Sequence, residues 1–139
     1  MYMLDTNIII FAMRHPDSYC AKKLVEHIGI DVCISAVTYA ELVYGIRNSS
    51  DPDRNRKAVT LILAGIHILD FDAKAAEHFG DILADLKKRH MERPTQDRDK
   101  MIAAHARSLG CTIVTDNIKE FADIRGIELV SWRSDGDLK

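Results

Sequence analysis

The sequence predicts an α/β fold, a mostly parallel sheet sandwiched by helices, and three observations carry that expectation. Short β-prone apolar runs recur at 1–4, 32–34, 67–71, 111–115 and 128–132. Helix-like patterns fill every interval between them, so one strand follows another through a helix instead of a hairpin, as in a parallel sheet. With 139 residues and 47% hydrophobic content, the chain is sized for a single domain with a real core. That domain is expected over 1–133, with 134–139 a frayed tail.

Residues 1–13 are almost wholly apolar, and Asp5 is their only charge. They read as a buried strand passing into a buried helix, where a lone carboxylate is costly to desolvate without a partner. The order of strand, Asp5, Thr6, Asn7 and helix puts Asp5 at the carboxyl end of the first strand, where open α/β sheets bind ligands. Thr6 or Asn7 is suited to cap that helix; alternatively Asp5 is itself the cap. His15-Pro16-Asp17-Ser18 is a break, and Ser18 caps an amphipathic helix through Cys20, Leu24, Val25 and Ile28 to Gly29.

After the strand at 32–34, Ser35 opens a helix from Ala36 to about Ile46. Between Asp31 and Arg47 its only charge is Glu41, on a face shared with Val37, Ala40 and Tyr44. A solvated glutamate normally sits on a polar face, which this helix hardly has. The plainer alternative is a glutamate at the edge of the core, paired with a surface cation. A turn-rich loop from Asn48 leads into a helix over about 54–64 that Gly65 closes. The strand at 67–71 follows, and then Asp72 caps a long amphipathic helix, about 73–89, with Ala76, Phe79, Ile82, Leu83 and Leu86 as its buried stripe. Pro94-Thr-Gln-Asp97-Arg-Asp99 leads into a helix carrying Met101, Ile102, Ala104, His105 and Ala106 mostly inward, ending at Gly110. The strand at 111–115 ends in Asp116-Asn117, repeating the strand-then-acid pattern of the opening. Phe121 and Ile124 lie in a short helix and turn before the last strand.

Composition excludes several classes of function. The net charge of -2 gives no overall attraction for nucleic acid and leaves only local patches. One such patch is basic: between 87 and 107, Lys87, Lys88, Arg89, Arg93, Arg98, Lys100 and Arg107 outnumber Glu92, Asp97 and Asp99. It reads either as a phosphate-contacting rim or as a solvated helix end favoured by the macrodipole. Cys20, Cys33 and Cys111 are odd in number and widely spaced, so buried free thiols are expected instead of a disulfide or a zinc site. His67, His78 and His105 have no partner at metal-ligand spacing. No apolar run approaches the ~20 residues of a membrane span and no leader pattern precedes the first strand, so a cytoplasmic protein is expected.

In a parallel sheet the carboxyl ends of the strands share one edge. Asp5 and Asp116 end strands, Glu41 sits in a helix leaving another strand end, and Asp99 begins a helix able to enter from the same side, with Asp97 in reserve. Two unit charges about 5 Å apart repel by roughly 3 kcal/mol at an effective dielectric near 20, so such a cluster raises the pKa of its members. A divalent cation removes that penalty. Hard Mg²⁺ or Mn²⁺ suits carboxylate and water oxygens, and metal held this way commonly serves phosphate chemistry.

Four blocks of the chain, Met3-Leu-Asp5-Thr6-Asn7, Ser35-Ala-Val-Thr-Tyr-Ala-Glu41-Leu-Val-Tyr-Gly45, Asp99-Lys-Met-Ile-Ala-Ala-His-Ala106 and Ile113-Val-Thr115-Asp116-Asn117 with Glu120-Phe121, resemble the signature blocks of PIN-domain ribonucleases. They are most similar to the VapC toxins of bacterial type II toxin–antitoxin operons, in the same order and over nearly the whole chain. The resemblance implies a PIN-like three-layer α/β/α sandwich and a metal-dependent endoribonuclease that arrests translation. It implies Asp5, Glu41, Asp99 and Asp116 as the catalytic and Mg²⁺- or Mn²⁺-binding acids, with Thr6, Asn7, Ser35 and Thr115 positioning ligands or water. The cations Lys87, Lys88, Arg89, Arg93, Arg98 and Lys100 are candidate RNA contacts. Homodimers, a cognate VapB antitoxin and a transfer RNA substrate, the initiator among them, are further implications. The segment Thr95-Gln96-Asp97-Arg98 departs from the glycine-containing loop that family members often carry there, and the Asp-x-x-Ile-Ala-Ala register selects Asp99 over Asp97. Three alternatives compete: an aspartyl-phosphate phosphatase, a non-catalytic Mg²⁺-binding signalling module of receiver type, and a PIN domain that only binds RNA. The first needs a second Asp where Asn7 stands, and the second a lysine at the end of a late strand, where Thr115-Asp116 stands.

Overall fold

The structure, a computed structural model, describes residues 1–93 and 97–133, so Pro94, Thr95 and Gln96 and the tail at 134–139 lie outside the described residues. Twelve elements alternate along it: β1 (Tyr2–Leu4), α1 (Thr6–Arg14), α2 (Tyr19–His27), β2 (Val32–Ser35), α3 (Ala36–Arg47), α4 (Pro52–Leu63), β3 (His67–Leu69), α5 (Ala73–Lys88), α6 (Asp97–Leu109), β4 (Thr112–Val114), α7 (Ile118–Phe121) and β5 (Glu128–Val130). The five strands form one sheet in the order β3-β2-β1-β4-β5. Every pairing is parallel.

Successive strand residues point to opposite faces, and here both faces are covered, which is why the runs read as continuously apolar. Leu4, Val32, Ile34 and Val114 meet α1 to α4 on one side. Met3, Cys33 and Ile113 meet α5 to α7 on the other. The three-layer α/β/α sandwich expected from the sequence is therefore present. β3 is an edge strand with only β2 beside it, and His67 and Ile68 are exposed. It stops at Leu69, short of the expected Phe71, because Asp72 already serves as the N-cap of α5, accepting from Ala75 N.

Caps set the helix starts. Ser18 accepts from Ala21 N, Ser35 from Val37 N and Asp51 from Arg54 N. With Asp51 as cap and Pro52 in the first turn, α4 begins two residues before the expected 54. Along α5 the buried stripe is Ala75, Ile82 and Leu86, with Phe79 half-buried. The expected Ala76 and Leu83 lie one residue off that line and are exposed, because α5 packs chiefly on α6 and buries only a narrow seam. Gly65 sits against the Ile28 side chain, where a Cβ has no room, while its carbonyl accepts from Gly29 N. The three cysteines are buried and in no disulfide, and burial with Cys111 alongside pushes the Cys33 thiol up to about 12. Trp132 lies beyond β5 yet is buried, edge-on to Tyr2 and stacked on His27. It returns the end of the described chain to the layer that holds α1.

Candidate functional site

From β1 the chain builds outward to β2 and β3, then crosses through α5 and α6 and resumes on the other side of β1 with β4 and β5. β1 and β4 therefore flank the point where the winding reverses, the usual ligand crevice of an open α/β sheet. Asp5 closes β1 at this point, 3% exposed. Its Oδ1 accepts from Thr6 N at 2.8 Å, so Asp5 is the N-cap of α1 and the expected cap role of Thr6 or Asn7 is corrected. Its Oδ2 accepts from the Thr115 hydroxyl at 2.9 Å. Burial lifts the Asp5 pKa above the usual range; the bonds from Thr115 and Thr6 oppose that, while the charges of Glu41 and Asp116 add to it.

The other acids arrive from both helical layers. Glu41 comes from α3, its Oε1 accepting from the Thr6 hydroxyl at 3.0 Å and its Oε2 lying 3.4 Å from Arg98 Nη1. Glu41 thus meets a surface cation on one oxygen and the residue next to Asp5 on the other. Asp99 stands in the first turn of α6, where burial first, and then the charges of Asp5, Glu41 and Glu120, raise its pKa to about 6. Asp116 lies two residues past β4, with Oδ2 accepting from Arg133 Nη1 at 2.6 Å. Its Oδ1 is buried without a hydrogen-bond partner among the described residues, and so is Glu120 Oε2.

Glu120 is the acid that sequence reasoning missed as a site residue. Its signal was faint: a glutamate in the first turn of a short helix leaving the same sheet edge, between Lys119 and the buried Phe121. Asp97 stands apart, exposed and 3.6 Å from Lys100 Nζ. Asn7 is exposed. Thr115 also accepts from Asn117 N, which ties Asp5 to the turn that carries Asp116. Ser35 touches none of the acids. It caps α3 and meets His105 Nδ1 of α6 at 2.8 Å, linking the helix of Glu41 to the helix of Asp99. Burial holds His105 below the usual imidazole range, so the ring is neutral there.

Two of the six cations of the expected basic rim are drawn into the fold. Lys100 is buried and donates to the Arg93 carbonyl at 2.7 Å, and Arg89 is bound to Asp85 and to the Asp123 carbonyl. These two are corrections, because the segment folds back on carbonyls and carboxylates that claim its cations. Arg93 faces Asp123 at 3.5 Å, and Arg107 donates to His78 and the Arg125 carbonyl. Lys87 and Lys88 remain exposed at the end of α5. On the other side of Glu41, a groove of about 490 Å³ runs between α1, α3 and α4, floored by Ile10, Leu42 and Val59 and flanked by Arg14 and Arg54.

Among the described residues, no three His, Cys, Asp or Glu side chains are gathered tightly enough to form a finished metal cage. The donor chemistry nevertheless fits a hard divalent cation. All five acids offer oxygen, two of their buried oxygens lack a partner among the described residues, and neighbouring carboxylates add to the rise that burial causes at Asp5 and Asp99. A cation with water in the remaining positions relieves all three conditions at once.

Residues 2–127 match the model of the PIN domain. Over 131 residues, 94% of this chain and 97% of the relative, the chain is 40% identical to the tRNA(fMet)-specific endonuclease VapC of Shigella flexneri. Over the same shares it is 37% identical to ribonuclease VapC2 of Haemophilus influenzae. Among solved structures it is similar to DNA-bound VapBC from Salmonella typhimurium, with a TM-score of 0.86 at 36% identity, covering 94% of this chain and 97% of that one. A second is VapBC2 from Rickettsia felis bound to a DNA fragment from its promoter, with a TM-score of 0.85 at 33% identity, covering 94% and 98%.

Proposed function

The chain belongs to the PIN-domain family, and we propose that it is a metal-dependent endoribonuclease, the VapC-type toxin of a toxin–antitoxin pair. The observation that carries this reading is the meeting of Asp5, Glu41, Asp99, Asp116 and Glu120 at one sheet edge, where burial first and the neighbouring acids second raise Asp5 and Asp99. Relatives named as tRNA(fMet)-specific endonucleases support transfer RNA, the initiator in particular, as substrate. Neighbours solved as VapBC complexes support a VapB-type antitoxin as partner. We place the action in the cytoplasm, where such RNA is found, and assign a homodimer to the toxin; no described helix is long and apolar enough to cross a membrane.

Asp5 and Asp99, with Oδ1 of Asp116, are assigned to hold Mg²⁺ or Mn²⁺. Bound there, the cation lowers the pKa of water and stabilises charge on the phosphodiester. Glu41, steadied by the Thr6 hydroxyl, orients the attacking water. Thr115 fixes the Asp5 carboxylate, so its oxygens are preorganised before substrate arrives. Water adds to phosphorus in line as the bond to the 3′ oxygen breaks, leaving a 3′-hydroxyl and a 5′-phosphate. The test is purified protein on total RNA with Mn²⁺ or with chelator, followed by end mapping. Cleavage that needs the metal and leaves 5′-phosphate ends is expected; cleavage indifferent to chelator overturns the assignment.

A further inference from the structure

Arg133 belongs to none of the four blocks that resemble the family, yet it has the shortest ionic contact to any acid of the site. Its Nη1 is 2.6 Å from Asp116 Oδ2, and the two side chains are only 16% and 19% exposed. The guanidinium carbon also lies 3.8 Å from the centroid of the Phe11 ring, a cation–π placement that holds the group over α1. The buried Trp132, packed on Tyr2 and His27, fixes the backbone just before it. Arg133 is thus a built-in cation at the acidic edge. Arg98, the other cation there, is 67% exposed and 3.4 Å from Glu41, so solvent screens it.

We propose that Arg133 makes this a one-ion centre: it claims Oδ2 of Asp116 and so withholds that oxygen from a second divalent cation. The charge balance points the same way. Five carboxylates set against the guanidiniums of Arg98 and Arg133 leave -3. One divalent ion brings that to -1, whereas a second makes a half-buried site net positive before any phosphate enters. With Arg133 neutralised, the same five acids and Arg98 accommodate two divalent ions without net charge. Arg133 acts here as a positioning residue: it holds Asp116 through Oδ2 and leaves Oδ1, which has no hydrogen-bond partner among the described residues, as the oxygen that would serve an ion.

The inference rests on the metal-dependent reading of the site and is tested separately from it. Mn²⁺ alone is titrated into the metal-free full chain, and free ion is counted by electron paramagnetic resonance. The wild type is expected to take one Mn²⁺ per chain, Arg133→Lys one, and Arg133→Gln two. A wild-type count of two overturns the inference and leaves the nuclease reading standing; a count of zero overturns both. An Arg133→Gln protein that melts cooperatively yet still takes one ion also overturns it. If that variant fails to fold, the wild-type and Arg133→Lys counts decide, with two ions in either counting against the proposal.

Discussion

A single carboxylate, Asp5, joins α1 to the acidic edge. It caps the helix through Thr6 N and is anchored by Thr115, yet its charge faces Glu41 and Asp116. Asparagine at this position keeps an oxygen for Thr6 N, and Thr115 is able to accept from its amide, while the repulsion goes. We therefore expect Asp5→Asn to lose RNA cleavage by at least about 100-fold and to raise the melting temperature in chelator. Unchanged cleavage would refute the site. Asp99 adds a pH dependence. Its pKa is raised from 3.8 to about 6 in the folded chain, so between those values the folded state holds the proton more tightly than the unfolded one. Metal-free stability should therefore be largest below pH 4 for this group and fall as pH rises through 6, by roughly 2 kcal/mol. Melts of wild type and Asp99→Asn in chelator check this: the slope should flatten in the variant. At this scale the sequence was informative wherever a charge broke an apolar run, as at Asp5, Glu41 and Asp116. Asp99 was separable from Asp97 by the register of the block that resembles the family. Glu120 was quoted in a block that resembles the family but not singled out as a site acid, and Arg133 lies outside those blocks; their tertiary placement assigns both to the edge.

Helix α3 shows how an element acquires its aim. Ser35 caps it and meets His105 on α6, and Phe71 packs edge-on to that imidazole, so the helices bearing Glu41 and Asp99 are referenced to each other through one hydroxyl. Ser35→Ala removes the cap and strands a buried imidazole nitrogen. A loss of about 1–3 kcal/mol is expected by thermal or urea melting, and His105→Ala on that background should cost less than it does in the wild type. The basic end of α5 yields a second contrast. Arg89 is engaged with Asp85 and the Asp123 carbonyl, whereas Lys87 and Lys88 face solvent. Arg89→Gln should therefore lower the melting temperature with little change in the salt dependence of RNA binding. Lys87→Gln with Lys88→Gln should do the reverse, each lysine that contacts phosphate reducing the log–log salt slope by about 0.7–0.9. Equal slopes in all three proteins would remove α5 from the RNA surface. Helix existence and capping were legible from Ser18, Ser35 and Asp72. Which cations face outward was not, since that depends on carbonyls up to 34 residues away along the chain, as for Arg89 and Asp123.

For the molecule as a whole, alternation of strand and helix was enough to anticipate parallel layers, because continuous apolar strands are stable only with both faces covered. Strand order was not anticipated: nothing local specifies that β1 is central and that β4 returns beside it. That order has a consequence in time. The bond from Thr115 to Asp5 closes a separation of 110 residues, and β1 gains its second neighbour only when β4 has been made. At about 5–20 residues per second of synthesis, the interval between Asp5 and Thr115 is roughly 5–20 s. During that time the growing polypeptide carries the first acids of a nuclease without the last. A chain stopped after residue 110 should take up no Mn²⁺ and be digested readily by protease. The order in which the strands are laid down thus delays the assembly of the acidic edge until β4 has joined β1.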